Sequence, residues 1–319
     1  LNLGTTTLEN ALYINSNYDT PLEKAFSEID NEIDKKLQTL FKDVKKFKAD
    51  GCVAVVHTAA KAGVWGSWED YERINVGGTQ NCIKVIRDLG IKNLIYTSSP
   101  SVVFNGSSIE GGDEELTHSY RDLNYYQRSK KIAELLVLKA QKEYSLALII
   151  LRPHLIWGED DPHFLPRLKE RVKGGRLVQV GEGRNKVDVV HVDNAAYAHA
   201  LALKKAIASG PGAKIYFIGD QNPVNLWDFI GALAQALGFK PKKTIIPFAL
   251  AYVLGQISEI LYKLPFFSGK EPKITRFVAL QLVHSHYFSQ KRVRQDLNYQ
   301  PIVSITEGLD RIRNKTLER

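Results

Sequence analysis

The chain contains no methionine and only two cysteines in 319 residues. Two cysteines cannot build a disulfide framework. Cys52 and Cys82 each sit in an apolar run, where cysteine reads as a small core residue. The expected compartment is therefore reducing and intracellular. The missing methionine, initiator included, leads to the expectation that Leu1 is not the natural start. No signal-peptide pattern opens the chain. Internal repeats and low-complexity linkers are absent, which excludes a solenoid or a string of tethered modules. Nowhere does the chain show about twenty uninterrupted apolar residues, so no segment is a clear membrane span. His57, His154 and His191 show no recognised ligand spacing; we expect no metal and read them as core or supporting histidines. The net charge is +8 and the pI about 9.2. Without an RNA-binding signature or a stripe of basic and aromatic residues, this balance points to a lysine-rich solvated surface and not to nucleic acid.

What the chain does have is 44% apolar residues and an alternation of strands and helices. Ala11 to Asn17 is expected as a strand. A capping Asp19 with Pro21 then opens a long amphipathic helix at 22–47. Cys52 to His57, Asn93 to Thr97 and Leu146 to Leu151 are short apolar runs of the kind buried on both faces of a parallel sheet. Helices are expected at about Asn75 to Leu89, ending at Gly90, and at about Asn124 to Glu143. This order argues for an α/β fold, a Rossmann-like doubly wound parallel sheet. Beyond about residue 153 the pattern loosens into short strands (Leu177–Val180, Lys214–Ile218) and helices (Asn194–Ile207, Asn225–Leu237). We therefore divide the chain into a cofactor-binding region, 1–152, and a mixed α/β substrate-binding lobe, 153–319. The apolar run 245–262 is interrupted by Gln256, Ser258 and Glu259. It fits either a helix packed on the domain or a helix lying in a membrane interface.

The sharpest chemical signal is Tyr126 and Lys130, four residues apart at a helix start, which places both on one face. A free tyrosine has a pKa of about 10, too high for a base at neutral pH. A neighbouring ammonium is expected to lower it. The phenolate could then take an alcohol proton while hydride leaves for a nicotinamide. Upstream, the strand ending Tyr96-Thr97 is followed by Ser98 and Ser99, at the sheet edge where ligands bind. Either serine could orient a substrate oxygen.

With those residues in hand the sequence resembles the 3β-hydroxysteroid dehydrogenase branch of extended short-chain dehydrogenases, especially sterol-4α-carboxylate 3-dehydrogenases. The resemblance runs from Val53 almost to the C-terminus. It rests on Val55-Val56-His57-Thr58-Ala59-Ala60, Asn75-Val76-Gly77-Gly78-Thr79, Thr97-Ser98-Ser99-Pro100, Tyr126 to Lys130, Leu151-Arg152-Pro153-His154-Leu155-Ile156-Trp157-Gly158, Asp161 to Leu168 and Asp188 to Ala196. The resemblance implies Tyr126 as general base or acid, Lys130 as its activator, and Ser99, before Ser98, as holder of the substrate oxygen. It implies NAD or NADP lined by Ala59, Ala60, Tyr126, Lys130, Pro153 and Ile156, with Asn75 and Asp193 structural. It further implies oxidation of a 3β-hydroxyl on a hydrophobic, sterol-like substrate, with loss of a 4-carboxylate where one is present. Peripheral membrane contact through 245–262 is implied as well, at the endoplasmic reticulum if the source is eukaryotic. Pairing through helices like 75–89 and 124–143 would give a homodimer.

One departure stands out. The family opens with a Gly-x-x-Gly-x-x-Gly turn that lets the backbone approach the pyrophosphate, and here Gly4 is alone. Either an N-terminal unit precedes this chain, or the chain is a cofactor-free structural subunit of a larger complex. A nucleotide-sugar epimerase or reductase of the same superfamily is a third reading. The retained Ser99–Tyr126–Lys130 set favours an enzyme.

Overall fold

A computed structural model of the protein describes residues 11–14, 51–267 and 270–317. The helix expected at 22–47 lies outside the described residues.

The centre is a five-stranded sheet of β1 (Ala11–Ile14), β2 (Ala54–His57), β3 (Asn93–Thr97), β4 (Ala147–Pro153) and β5 (Gly212–Ile218), all parallel and in that order. β2 and β4 are buried along their whole length, as their unbroken apolar runs require. Helices cover both faces. On one side α1 (Gly78–Leu89) and α2 (Tyr125–Tyr144) set Cys82, Ile86, Ala133 and Val137 against Val55, Leu94, Leu148 and Ile150. The other side is closed by Ala195, Ala198 and Ala202 of the helix Val192–Ala208. The expected α/β class with a doubly covered parallel sheet is therefore what the structure shows.

Element ends follow local chemistry. α1 stops where Gly90 turns left-handed at φ 67°, a conformation that glycine adopts without steric cost. The Asn124 side chain caps α2 by accepting from Gln127 N at 2.7 Å. One helix begins earlier than its pattern suggests. Ser67 caps a turn at Trp68–Tyr71, and a π-helical stretch, Glu72–Gly77, then runs into α1. Apolar periodicity at 3.6 residues could not reveal a π segment, because the extra residue per turn breaks the period.

The chain passes more than once between this sheet and a second layer. Ile109–Gly112 joins His286–Phe288, Lys186–Val187 and Val224–Asn225 in a four-stranded sheet. Around it Trp157, Leu165, Leu168, Trp227, Phe229 and Leu233 form a second core. The apolar run 245–262 is two elements, not one. Ile245 and Ile246 end a strand, Lys242–Ile246, that pairs in parallel with Arg176–Val180. Pro247 then opens a fourteen-residue helix, α3 (Phe248–Leu261). Among the described residues no helix is long and apolar enough to cross a membrane. α3 buries Ala251 and Gly255, and its outer face carries exposed Leu250, Val253, Leu254, Ile257, Ile260 and Leu261.

Gly255 is where α3 meets the next helix most tightly. A methyl group there would stand 2.7 Å from Arg276 N and from the Thr275 carbonyl carbon, atoms that cannot rotate away. We expect Gly255→Ala to destabilise the fold by about 1–3 kcal/mol through overpacking, read as a shifted urea midpoint at unchanged slope. A midpoint equal to wild type would show that the two helices separate freely.

Candidate active site

The expected residues gather at the carboxyl edge of the parallel strands, where α/β sheets bind ligands. Ala59 and Ala60 follow β2, Ser98 and Ser99 follow β3, and Pro153 closes β4. Just beyond, Leu155 turns the chain with φ 43°, an uncommon conformation for a side chain of this kind. Ile156 lies exposed in a two-residue strand paired with Val190–His191.

The two serines have different neighbours. Ser98 is buried and its hydroxyl is committed to the Glu134 carboxylate. Ser99 is half-buried, accepts from Ser101 N at 3.2 Å and lies near enough to the Tyr126 hydroxyl to favour its charged form. Only Ser99 thus acts on the tyrosine. Tyr126 sits in the first turn of α2, and side-chain hydrogen bonds of Gln127 and Ser129 fix that turn. Gln127, fully buried, accepts from Leu123 N at 2.8 Å and donates to the carbonyls of Ser101 (2.7 Å) and Phe104 (2.5 Å). This ties the helix start to the loop that carries Ser99. Ser129 donates to the Tyr126 carbonyl at 2.8 Å and accepts from Asn75 Nδ2 at 2.8 Å. Asn75 also holds Lys61, accepting from its N–H at 2.7 Å and donating to its carbonyl at 3.1 Å. Asn75 therefore binds the loop after β2 to the tyrosine helix. Asp193 pairs instead with Arg311 at 2.7 Å.

Lys130 is buried one turn along. Its ammonium donates to the Thr97 carbonyl at 2.6 Å and lies 4.7 Å from the centre of the Tyr96 ring. Burial lowers its pKa to about 8, against the opposing pull of Glu134. Tyr126 departs from the simplest expectation. Burial raises its pKa, and the Ser99 hydroxyl offsets this only in part. The ammonium is turned to Thr97 and Tyr96, so the phenol stays protonated at neutral pH. His57 is neutral, held at about 4 by burial and by the Lys130 charge, with Nε2 3.1 Å from Thr79 Oγ1. Among the described residues no group of three His, Cys, Asp or Glu could hold a metal. An open groove of about 540 Å³, lined by Asp188, Tyr287, Phe288 and Arg294 among others, includes none of these site residues.

Sequence reading missed Glu134, although its position four beyond Lys130 and eight beyond Tyr126 puts it on the same helix face. It is fully buried and accepts from Ser98, from His118 Nε2 at 2.8 Å and from Arg152, with Arg152 Nε at 3.2 Å. Burial alone would raise its pKa. The hydrogen bond from His118, the Arg152 charge and the bonds from Arg152 and Ser98 outweigh it and hold the carboxyl at about 2.

The residues fit one half of a dinucleotide. A lysine ammonium has three donors, and the one hydrogen bond of Lys130 among the described residues is to Thr97. Such a buried cation at the sheet edge suits the hydroxyls of a nicotinamide ribose. The described residues contain no Gly-x-x-Gly-x-x-Gly turn for the pyrophosphate.

Residues 23–250 match the 3-beta hydroxysteroid dehydrogenase/isomerase family. The chain belongs to that family. It is an oxidoreductase of the short-chain dehydrogenase/reductase superfamily. A 2-alkyl-3-oxoalkanoate reductase of Shewanella oneidensis is 41% identical over 271 residues, covering 82% of this chain and 70% of the relative. The decarboxylating sterol-4-alpha-carboxylate 3-dehydrogenase of Homo sapiens is 30% identical over 272 residues, covering 82% and 71%. Among solved structures, UDP-glucuronic acid 4-epimerase from Bacillus cereus in complex with NAD aligns with TM-score 0.65 at 20% identity, covering 86% of this chain and 78% of that one. RMD from Pseudomonas aeruginosa complexed with NADPH aligns with TM-score 0.63 at 19% identity, covering 88% and 86%. The expected cofactor, NAD or NADP, agrees with both.

The Glu134 network makes a testable statement about acid stability. Its folded pKa lies below the ordinary 4.5, so the stability it contributes is present above pH 4.5 and fades as pH falls towards about 2. Glu134→Gln should cost about 3–5 kcal/mol at neutral pH, because Arg152 loses its buried counter-charge. Urea unfolding as a function of pH should show the variant losing less further stability than wild type on acidification. Parallel curves would refute the assignment.

Proposed function

We propose that this chain reduces the ketone of a 2-alkyl-3-oxoalkanoate, a branched β-keto acid, to the 3-hydroxy acid with NAD(P)H. The observation that supports this reading is Tyr126, which burial keeps protonated beside Ser99, in the state that donates to a carbonyl oxygen; the direction of net turnover follows the substrate and the redox state of the cofactor. A protonated phenol suits a proton donor to a ketone better than a base for an alcohol. The substrate class comes from the reductase named above, which is 41% identical.

The chemistry follows from the residues. A ketone oxygen placed between Ser99 and Tyr126 receives hydrogen bonds from both hydroxyls. NAD(P)H, when bound, would supply the hydride that adds to the carbonyl carbon. Charge grows on the oxygen as that bond forms, and the two donors stabilise it where it develops. Tyr126 then passes its proton to the oxygen, giving the alcohol. Lys130, one turn along the helix, would turn its ammonium from Thr97 towards the phenolate left behind and stabilise it until solvent reprotonates it. Run in reverse, the same set would oxidise a 3β-hydroxysterol, which is the second reading. The two substrates share their reacting end. A sterol 4-carboxylate oxidised at C3 is also an α-substituted β-keto acid, and it loses carbon dioxide readily.

We also propose that the outer face of α3 rests on a membrane surface inside the cell, where a substrate with long alkyl chains dissolves. Leu250, Val253, Leu254, Ile257 and Leu261 recur at three- and four-residue steps on that face, and exposed Leu264 and Phe266 extend it. Exposed Lys240, Lys242, Lys243, Lys263 and Lys270 lie along the same stretch of chain. An apolar face flanked by cations suits an anionic lipid surface.

Oxidation of NADPH by a 2-alkyl-3-oxoalkanoate tests the reaction. Tyr126→Phe should lower kcat by about 10²–10⁴-fold, the usual weight of general acid catalysis. For wild type, kcat/KM should stay level through neutral pH and fall above about 8, as Lys130 loses its proton while the raised Tyr126 keeps its own. Rising activity above pH 8 would favour the oxidative reading. For the membrane face, Leu254→Glu with Ile257→Glu should abolish co-flotation with anionic vesicles while leaving NADPH oxidation by a short-chain, soluble substrate intact. Flotation that persists in the double variant would remove the docking face.

A further inference from the structure

A β-keto acid carries its carboxylate one carbon from the ketone carbon, so a reductase for it needs a cation or strong donors beside its proton donor. Several cations of the described residues touch aromatic residues or loops of the elements that pack against the tyrosine helix, among them these four. Lys130 is buried against Thr97 and Tyr96. Lys61 is paired with Asp70 at 3.0 Å and stands over the Tyr71 ring. Arg128 is stacked on Trp68, 4.2 Å from its ring centre. The fourth is Arg167, on the helix Phe164–Val172.

Arg167 is placed differently from the others. The Tyr71 ring packs edge-on against the Tyr126 ring at 6.4 Å between centres. At the far end of Tyr71 lies Gly63, with φ 102°. A methyl group on Gly63 would meet Tyr71 Oη at 3.7 Å, Arg167 Nη2 at 3.9 Å and Glu271 Oε1 at 4.0 Å. The guanidinium, a hydroxyl and a carboxylate thus converge one aromatic ring from the proton donor, around a residue without a side chain. Tyr71 feels all of them: burial, then Glu271 and Tyr126, push its phenol up, while Arg167 pulls it down.

The carboxylate already present is Glu271, whose Oε2 accepts from Arg167 Nη2 at 2.8 Å. The two side chains are 47% and 37% exposed, and ion pairs this exposed contribute little to stability. An arginine has five donors, and its planar fork matches a carboxylate with two parallel bonds. We propose that Arg167 is the substrate-carboxylate receptor of this enzyme, and that Glu271 is a resident carboxylate which the substrate's own carboxylate displaces. The assignment rests on the β-keto acid reading above and goes beyond it by naming the residue that recognises the acid. It gives the two partners opposite signs. Losing Arg167 weakens carboxylate binding, and neutralising Glu271 strengthens it. A purely structural ion pair would give no such opposition.

The test is calorimetric titration with 2-butyloctanoate, which has the branched acid but no ketone, and with its primary amide, NADPH being present. Both side chains are more than a third exposed, so neither variant removes core packing. We expect wild type to bind the carboxylate about tenfold more tightly than the amide, the weight of one charge-assisted hydrogen bond. Arg167→Gln should bind the two alike. Glu271→Gln should tighten the carboxylate and leave the amide where it was. A wild type blind to the charge, a preference that survives Arg167→Gln, or a Glu271→Gln that weakens the carboxylate overturns the assignment. Turnover of a 2-alkyl-3-oxoalkanoate, followed in parallel by NADPH absorbance, separates the two ideas. Carboxylate preference without turnover removes the reaction and leaves Arg167 as an acid receptor. Turnover without preference removes the receptor and leaves the reaction.

Discussion

The buried pair of Glu134 and Arg152 is the contact on which the site depends. Arg152 stands near the end of β4, Glu134 in the middle of α2, and Ser98 at the end of β3. One carboxylate accepts from both strands' ends and from His118 as well. The orientation of α2 against the sheet edge is thereby set from within the protein, two helical turns from Tyr126. A buried ion pair of this kind is not a strong source of net stability, since desolvation consumes much of its attraction. What it does impose is geometry. With several donors satisfied by one carboxylate, no sliding of the helix leaves all of them paired.

The same burial sets the protonation of the site. Lys130 lies between Glu134 and Tyr126 on one helix face, with its ammonium drawn to Thr97 and the Tyr96 ring. Desolvation works against charge on both sides, lowering the lysine and raising the tyrosine. A pair tuned in this way stays as ammonium and neutral phenol at neutral pH. It moves towards phenolate only when charge has somewhere to go, as it does when a ketone oxygen takes the proton. The direction in which such an enzyme runs is then a matter of which carbonyl or alcohol reaches Ser99, and in which redox state the cofactor arrives.

Much of this was legible in the sequence because the signals are local. Unbroken apolar runs gave β2, β3 and β4, and Asn124 and Gly90 marked helix ends through capping chemistry that a single residue can carry. Tyr126 and Lys130 share a face by spacing alone. The residues alone left Ser98 and Ser99 open and only the resemblance preferred Ser99, because what separates their surroundings is Glu134, thirty-six residues from Ser98. Nor could the run at 245–262 be divided by hydropathy. Ile245 and Ile246 pair with a strand that begins at Arg176, and no local pattern announces that partner. Arg167 and Glu271 meet across 104 residues, and in the sequence each looks like one more charge on a solvated surface.

The described fold is shared with enzymes that act on nucleotide sugars, as the TM-score of 0.65 to an epimerase at 20% identity shows. A fold shared so widely cannot select a substrate, so selection must lie in what surrounds the proton donor. Here those surroundings have two unlike parts. Next to the Tyr71 ring, which packs on Tyr126, Arg167 and Glu271 form a polar niche around Gly63. Elsewhere, α3 turns an apolar face to the exterior. The apolar part does not suit a nucleotide sugar, which offers phosphates and hydroxyls over its whole length. Under the proposed reading, a branched β-keto acid would use both, an anion receptor for its acid and an apolar surface for its alkyl chains.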